Sequence, residues 1–388
     1  MRLAWGFAAL VALIGCAPQV QPGPWRPPGA GLAPWAGGPT VVPGTATSIN
    51  RQRVGLLLPL TGQNAALGAS MLNGIQLALF EQADPRVELL PRDTRGTASG
   101  AADAARAALA EGATILVGPL TLGETAAAAG PARAAGAPLL SFSSDEGQGG
   151  NGVWVLGITP TQVARRLAGS AVAAGARRIG VFGGDDEFGR RVAAALRDAL
   201  AAAGLPPPVV QLNRSGSDPA QNGRDFAARV AAEGAGGGVD AVVLTQAGQP
   251  VRQAAQGLAA AGLTPMPQLY GTHLWSGDAT LASEPALAGA GYAGPDPGAR
   301  GSFDSRLQQA FGERPSRLSG TAYDAAALAA RAARDGGRAL PLGEAFQGAD
   351  GPIRLMPDGT LARGLAILEV GRGGAVREPA PVPGAAGS

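Results

Sequence analysis

Hydrophobic and polar positions follow two rhythms along the chain, short apolar runs and longer segments with helical spacing. Residues 53–58 (RVGLLL) form a short apolar run, and residues 65–82 place apolar side chains at helical spacing after a turn. The same succession repeats several times and restarts at about Pro160. Strands that alternate with helices predict parallel sheets with helices on both faces. The pattern therefore predicts an α/β protein with two lobes that meet near residues 154–159.

The N-terminal segment has the pattern of an export signal. Arg2 precedes an apolar run over residues 3–14, which is too short for a membrane-spanning helix. The run ends in Leu-Ile-Gly-Cys at Cys16, which resembles a bacterial lipoprotein cleavage box. In such signals the cysteine becomes the first mature residue and carries the lipid, whereas the alternative is an ordinary buried thiol. We expect residues 1–16 to be a lipoprotein signal peptide and Cys16 to be the lipidation site.

Low-complexity segments flank the predicted α/β region. Residues 17–50 are rich in Pro, Gly and Ala without a sustained period, which predicts an extended tether. Residues 371–388 have a similar composition and are expected to be a flexible tail. Ala17, rather than Asp, indicates outer-membrane sorting by analogy with known lipoproteins. We therefore expect a protein anchored by its lipid to a bacterial membrane, facing the periplasm.

The composition excludes several kinds of chemistry. All 31 basic residues are arginine, so a Walker phosphate loop or a Schiff-base enzyme has no lysine to use. One cysteine and one histidine do not make a Cys/His zinc site, and we predict no metal and no cofactor. The net charge of +2 lacks the concentrated basic face of a nucleic-acid binder. No acid–base pair or nucleophile stands out beside His273, so we assign no catalytic residue and expect no enzyme.

Loops that follow the predicted strands supply the candidate binding residues. In parallel sheets, ligands bind beyond the carboxyl ends of the strands. These loops are rich in hydroxyl and amide side chains, which suit an anionic or zwitterionic ligand. The candidates for a ligand cleft are Thr121, Ser141, Ser143, Gln246, His273 and Trp275. Purely structural roles stay open, because hydroxyls also cap helices and a histidine can bond a backbone carbonyl.

Several short motifs resemble those of type I periplasmic binding proteins. Two of them, Gly-Pro-Leu-Thr at 118–121 and Pro-Leu-Leu-Ser at 138–141, have the spacing of that family's first lobe. Other motifs resemble one branch, the lipoprotein activators of penicillin-binding proteins. These are Ser-Phe-Ser-Ser-Asp at 141–145, Gly-Thr-His-Leu-Trp at 271–275 and Pro-Asp-Gly-Thr at 357–360. The resemblance covers about residues 53–370.

The resemblance implies a two-lobed fold, with a mostly parallel sheet in each lobe and a hinge of three crossing segments. Lobe 1 would comprise residues 51–157 and 292–362. Lobe 2 would comprise residues 158–291 and 363–370. The crossing segments would lie near residue 157, residues 292–295 and residue 362.

Two departures from the amino-acid-binding members concern the ligand. Where those members hold the ligand carboxylate with small hydroxyl residues, this sequence has Leu122 and Glu124 beside Thr121. Where they often have an acid for the ligand ammonium, it has His273, which cannot replace a carboxylate. The resemblance therefore implies a non-catalytic regulator of a penicillin-binding protein in peptidoglycan synthesis. The alternative is a solute-binding lipoprotein that delivers an amino acid or another small polar ligand to an ABC permease.

Overall fold

The computed structural model describes residues 51–232, 238–334, 339–371 and 375–383, so Cys16 and the predicted tether lie outside the described residues. The described strands are β1 (Gln52–Leu58), β2 (Val87–Asp93), β3 (Ala113–Val117), β4 (Leu139–Ser141), β5 (Val153–Val155), β6 (Ile179–Gly184), β7 (Val209–Asn213), β8 (Ala241–Leu244), β9 (Gln268–Gly271), β10 (Gly291–Gly294), β11 (Ala345–Gly348), β12 (Gly351–Leu355), β13 (Leu361–Arg363), β14 (Ala366–Glu369) and β15 (Val376–Glu378). The described α-helices are α1 (Ala65–Gln82), α2 (Ala98–Ala110), α3 (Leu122–Ala134), α4 (Pro160–Ala173), α5 (Glu187–Ala202), α6 (Pro219–Ala232), α7 (Gly248–Ala260), α8 (Pro297–Phe311) and α9 (Ser319–Arg334).

The first lobe is built on a parallel sheet with the strand order β2-β1-β3-β4-β5. Successive side chains of a strand point to opposite faces, so the apolar run of β1 serves two cores. Leu56 packs with Met71 of α1 on one face, and Leu57 packs with Ala105 of α2 on the other. Because both faces of β1 are buried, its sequence is an unbroken apolar run and does not alternate between apolar and polar residues.

The second lobe is built on a sheet with the order β15-β14-β10-β9-β8-β6-β7. Strands β6 to β10 are parallel, whereas β14 and β15 are each antiparallel to their neighbour. Helix α4 begins with a capping box, in which the Thr159 hydroxyl accepts a hydrogen bond from the Gln162 amide, and Pro160 occupies the first turn. Phe182 of β6 and Phe226 of α6 pack with ring centroids 5.6 Å apart.

The chain passes between the lobes after β5, after β10 and after β13. Helices α8 and α9 therefore return to the first lobe, where Ala325 of α9 shares a core with Met71. The small antiparallel sheet β11-β12-β13 packs on that same core through Ile353, Leu355 and Leu361. The two-lobed α/β fold predicted from the sequence is thus confirmed.

Three boundaries differ from the sequence prediction. Residues 292–294 belong to the second sheet, because β10 pairs with β9 on one side and β14 on the other. Arg363 belongs to the first lobe, where its side chain is buried 3.1 Å from Asp324. Within the predicted flexible tail, β15 pairs with β14 and places Glu378 2.8 Å from Arg166. Strand β15 is short, lies at the sheet edge and is surrounded by Pro and Gly residues. Its sequence therefore has no apolar periodicity from which a strand could be predicted.

Candidate functional site

A cleft of about 740 Å³ lies between the two lobes, near the carboxyl ends of the parallel strands. Small-molecule sites usually enclose roughly 300–1,000 Å³ and occupy this end of α/β sheets. From the first lobe the cleft is lined by Leu120, Thr121, Leu122, Phe142, Ser143 and Asp145. From the crossing segment and the second lobe it is lined by Ile158, Phe188, His273, Leu274, Ser276 and Gly277. Helix α8 and the chain around the start of α9 add Arg300, Asp304, Arg317 and Leu318.

The structure brings only part of the predicted site together. The predicted residues that line the cleft are Thr121, Ser143 and His273. Those that lie outside it, contrary to the prediction, are Ser141, Gln246 and Trp275. In Ser141 and Trp275, a contact within the protein has taken the polar group that the prediction assigned to a ligand.

Ser141 ends β4 in the interior of the first lobe. Its side chain is fully buried, and its hydroxyl lies 2.6 Å from the Thr125 hydroxyl of α3. The same hydroxyl accepts a hydrogen bond from the Ser143 amide at 3.1 Å. Ser141 therefore ties β4 to α3 and fixes the loop that follows, rather than facing the cleft.

Trp275 turns inward beneath the loop that carries His273. It is only 1% exposed, and its Nε1 donates to the backbone carbonyl of Gln246 at 2.8 Å. Its ring covers Gly271, where a Cβ atom would lie 2.1 Å from the ring. Burying this large apolar surface and pairing its N–H stabilises the loop. Gln246 contributes a backbone oxygen to that contact, and its side chain does not line the cleft.

The loop after β3 is closed by a carboxylate of the chain itself. Thr121 and Glu124 form a capping box at the start of α3. The Thr121 hydroxyl donates to Glu124 Oε2 at 2.7 Å, and the Thr121 amide donates to the same oxygen at 3.0 Å. Glu124 is 1% exposed, and its other oxygen accepts from the Thr94 hydroxyl at 2.6 Å. The hydroxyl and the backbone amide of Thr121 are therefore already bound to Glu124 and are not free to hold a ligand carboxylate.

His273 lies on the second-lobe wall of the cleft, edge-on to Phe188 with ring centroids 5.8 Å apart. Its Nδ1 is buried and has no hydrogen-bond partner among the described residues. Burial, helped by the positive charge of Arg317, lowers the pKa of the imidazole from about 6.5 to about 4. The ring is therefore neutral at pH 7. No carboxylate within the described ranges orients it as the acid of a Ser-His-Asp triad would.

An ion pair that sequence analysis does not anticipate joins the lobes at the edge of the cleft. The Asp145 carboxylate, in the loop after β4, accepts a hydrogen bond from the Arg191 guanidinium of α5. Arg191 holds the pKa of Asp145 below its usual range. Asp145 also accepts the Gly147 amide at 3.1 Å in a local turn. The sequence shows that turn, but it gives no signal for a partner on the other lobe.

A second group of charges lines the cleft on the first lobe. Arg300 lies 2.8 Å from Asp304 and 3.1 Å from Asp350. Arg300 also donates to the backbone carbonyl of Ser316 at 2.8 Å, which anchors the loop before α9. These contacts satisfy Arg300 within the protein and leave Arg317 as a separate cation of the cleft wall.

Within the described residues, no group of three or more His, Cys, Asp or Glu side chains has the arrangement of a metal site. The helices of that same part of the chain include none with the length and apolar character needed to span a membrane.

Comparisons with known proteins agree with this architecture. The family model described as periplasmic binding protein matches residues 51–375. A search of curated proteins found no significant match. Among solved structures, the chain is similar to a Rhodospirillum rubrum protein provisionally described as a branched-chain amino acid ABC transporter, with 22% identity and a TM-score of 0.73. That match covers 84% of this chain and 99% of the other.

Two further structures differ in their described roles. One is the LpoA C-domain from Haemophilus influenzae, a regulator of PBP1A, with 19% identity, a TM-score of 0.66, and coverage of 85% of this chain and 100% of that one. The other is a Rhodopseudomonas palustris solute-binding protein of an ABC transporter in complex with 4-hydroxybenzoate. It has 17% identity and a TM-score of 0.61, and the match covers 86% of this chain and 96% of that one. At these identities the likeness concerns the fold alone.

Proposed function

Because this chain belongs to the periplasmic binding protein family, we propose that it is a non-catalytic envelope lipoprotein that regulates a penicillin-binding protein in peptidoglycan synthesis. The observation that carries the proposal is the capping box after β3, in which the carboxylate of Glu124 already binds the hydroxyl and the amide of Thr121. The regulator of PBP1A from Haemophilus influenzae has the same fold. Fold does not fix function, so the argument rests on the cleft.

The cleft is poorly suited to an amino acid. A bound amino acid needs donors for its carboxylate and an acid for its ammonium. The Thr121 hydroxyl and amide are bound to Glu124, and the imidazole of His273 is neutral at pH 7. Asp145 is bound to Arg191. Leaving a charged ammonium unpaired costs about 1–3 kcal/mol or more, which corresponds to roughly a tenfold to hundredfold loss of affinity.

The ion pair between Asp145 and Arg191 also supports a regulator. A transport receptor closes around its solute because the solute favours the closed state. In this chain the two lobes are already bridged by their own side chains at the edge of the cleft. The bridge therefore holds the two lobes together without a solute. A regulator that acts by contact with a partner protein needs such a surface, formed by both lobes, at all times.

Leucine, isoleucine and valine at millimolar concentration should therefore not raise the melting temperature of the purified protein. A ligand at 100 times its Kd stabilises a fold by about 2.7 kcal/mol, which thermal unfolding detects readily. A branched-chain amino-acid receptor measured under the same conditions serves as the positive control. A clear upward shift with any of the three amino acids would favour the receptor and count against the regulator.

The second candidate is a solute-binding lipoprotein of an ABC transporter. It is favoured by the size of the cleft, about 740 Å³, and by the buried Nδ1 of His273, which has no partner among the described residues. The Rhodopseudomonas palustris relative in complex with 4-hydroxybenzoate indicates that this fold also accepts ligands without an ammonium group. Recovery of permease subunits with the anchored protein would favour this candidate.

Replacing Cys16 by serine should abolish lipid labelling and release the protein from the membrane fraction. Cys16 is the one cysteine of the sequence and follows an apolar run, so no other thiol can take the lipid. Ala17→Ser is the matched control and should stay membrane-bound, because it leaves the thiol in place. Fractionation of the Cys16→Ser protein that equals that of the wild type would refute the anchor. Sucrose-gradient separation of the wild type then tests the proposed outer-membrane location.

A further inference from the structure

Two buried polar atoms on the second-lobe wall have no protein partner within the described ranges. They are Nδ1 of His273 and the hydroxyl oxygen of Ser276, and both residues line the cleft. Buried polar side-chain atoms are nearly always hydrogen-bonded, so each exception needs an explanation. Two such atoms three residues apart leave this wall of the cleft with unused hydrogen-bonding capacity for a polar group of a ligand.

The first lobe presents a cation to the same cleft. Arg317 is exposed in the loop before α9, and its positive charge helps to lower the pKa of His273. The other charged side chains described above are bound within the protein. Arg300 contacts Asp304 and Asp350, and Asp145 contacts Arg191. By contrast, the guanidinium of Arg317 makes no hydrogen bond or ion pair with any of the described residues.

The remaining lining is mainly apolar, and it comes from both lobes. It includes Leu122, Phe142, Ile158, Phe188, Leu274 and Leu318. Leu122 is 47% exposed, so its side chain is open to solvent at the first-lobe wall of the cleft. Apolar side chains around one unpaired cation suit a ligand with a single negative end and an apolar body.

We propose that the cleft binds an apolar organic monocarboxylate that lacks an ammonium group. The carboxylate accepts hydrogen bonds from Arg317 on one lobe and from Ser276 and the neutral imidazole of His273 on the other. The apolar body lies between Leu122 of the first lobe and Phe188 of the second. This inference goes beyond the proposed function, because such a ligand could equally be the signal of a regulator or the cargo of a receptor.

The residues proposed to bind the carboxylate differ in part from those predicted from the sequence. The hydroxyl and the amide of Thr121 are bound to Glu124, so Thr121 does not hold the carboxylate. The carboxylate contacts shift to the opposite lobe and to the start of α9. Guanidinium–carboxylate contacts are among the strong hydrogen bonds of proteins, so Arg317 should dominate the affinity for the anion.

The test compares 3-phenylpropanoate with L-phenylalanine, which differs from it only by the α-ammonium, and 4-methylpentanoate with L-leucine. Isothermal calorimetry on the purified chain should show binding of one or both monocarboxylates and at least about tenfold weaker binding of the matching amino acid. Phenethylamine, which keeps the ring and carries a cation, should not bind. Failure of both monocarboxylates to bind at millimolar concentration, or equal binding of the amino acids, would overturn the proposal.

Variants locate the carboxylate. Arg317→Gln should weaken binding of the monocarboxylate by about tenfold to hundredfold, because a hydrogen bond to a charged group is lost. Arg314→Gln is the matched control, since Arg314 lies on the same loop, is exposed and does not line the cleft. It should bind as the wild type does.

Ser276→Ala should weaken binding less than Arg317→Gln. Equal affinity of Arg317→Gln and wild type, with both melting normally, would place the ligand elsewhere. Neither result bears on whether the chain binds a penicillin-binding protein, because that is measured by recovery of the protein partner from cells.

Discussion

Replacing Asp324 by alanine should lower the free energy of unfolding by about 3 kcal/mol. Asp324, in α9, is 1% exposed and lies 3.1 Å from Arg363, whose side chain is fully buried. Asp324 also accepts the Ala349 amide at 2.7 Å. Removing Asp324 leaves the buried guanidinium of Arg363 with only the carboxylate of Asp350, at the longer distance of 3.7 Å. Two nitrogens of Arg363 already have no partner among the described residues, so the protein has little capacity to compensate.

Chemical denaturation measures this loss, and Asp103→Ala is the matched control. Asp103 also contacts arginines, but its side chain is 58% exposed, so its removal should cost less than about 1 kcal/mol. A loss in Asp324→Ala no larger than that in Asp103→Ala would show that the buried pair does not hold α9 to the small sheet.

The same carboxyl gives a dependence on pH. Burial raises the pKa of Asp324 from 3.8 to about 6. The folded state therefore binds this proton more tightly than the unfolded state does, and the contribution of Asp324 to stability increases as the pH falls from about 7 towards 4. Asp324→Asn should lack this increase. The difference in unfolding free energy between wild type and Asp324→Asn should accordingly shift in favour of the wild type as the pH is lowered.

Replacing Gly118 by alanine should cost about 2 kcal/mol or more in unfolding free energy. Gly118 follows β3 with a φ of +96°, which side chains rarely adopt, and a Cβ atom there would lie 2.1 Å from the Leu57 carbonyl oxygen. Both the backbone and the contact with β1 would have to shift. The loop that leads to Thr121 begins at this residue, so the first-lobe wall of the cleft should loosen as well.

Gly123→Ala is the control for Gly118→Ala. Gly123 lies in the first turn of α3, and a Cβ atom there meets nothing within 4 Å. Alanine favours the helix over glycine by about 0.5–1 kcal/mol, so this variant should be slightly more stable than the wild type. If Gly118→Ala and Gly123→Ala unfolded at the same denaturant concentration, Gly118 would not be the constrained position.

The fold could be predicted from the sequence wherever apolar periodicity is strong. Strand β8 and helix α5 are examples, because one is a short apolar run and the other has a clear apolar face. Strand β5 and the sheet β11-β12-β13 are short, and their neighbours are glycine and proline. Their pairing depends on residues far away in the sequence, so local patterns carry little information about them.

The site could be predicted only as far as the loops. Sequence shows that residues 121 and 273 follow strands, and both line the cleft. It does not show whether Trp275, two residues after His273, turns inward, as it does. The bridge from Asp145 to Arg191 arises only when the lobes come together, and Arg317 reaches the cleft only because α8 and α9 return to the first lobe. The motif at residues 141–145 therefore identified the loop without identifying the residues that the loop contacts.

The most direct test of the proposed function is recovery of the partner from the membrane. The lipid-anchored chain, cross-linked in cells and purified in detergent, should carry proteins that a fluorescent penicillin labels. The Cys16→Ser protein, expressed at the same level, should recover less of them because it has left the membrane. Recovery of penicillin-labelled synthase with the anchored chain is the result that the regulator predicts. Recovery of ABC permease subunits, with no penicillin-labelled protein, would contradict it.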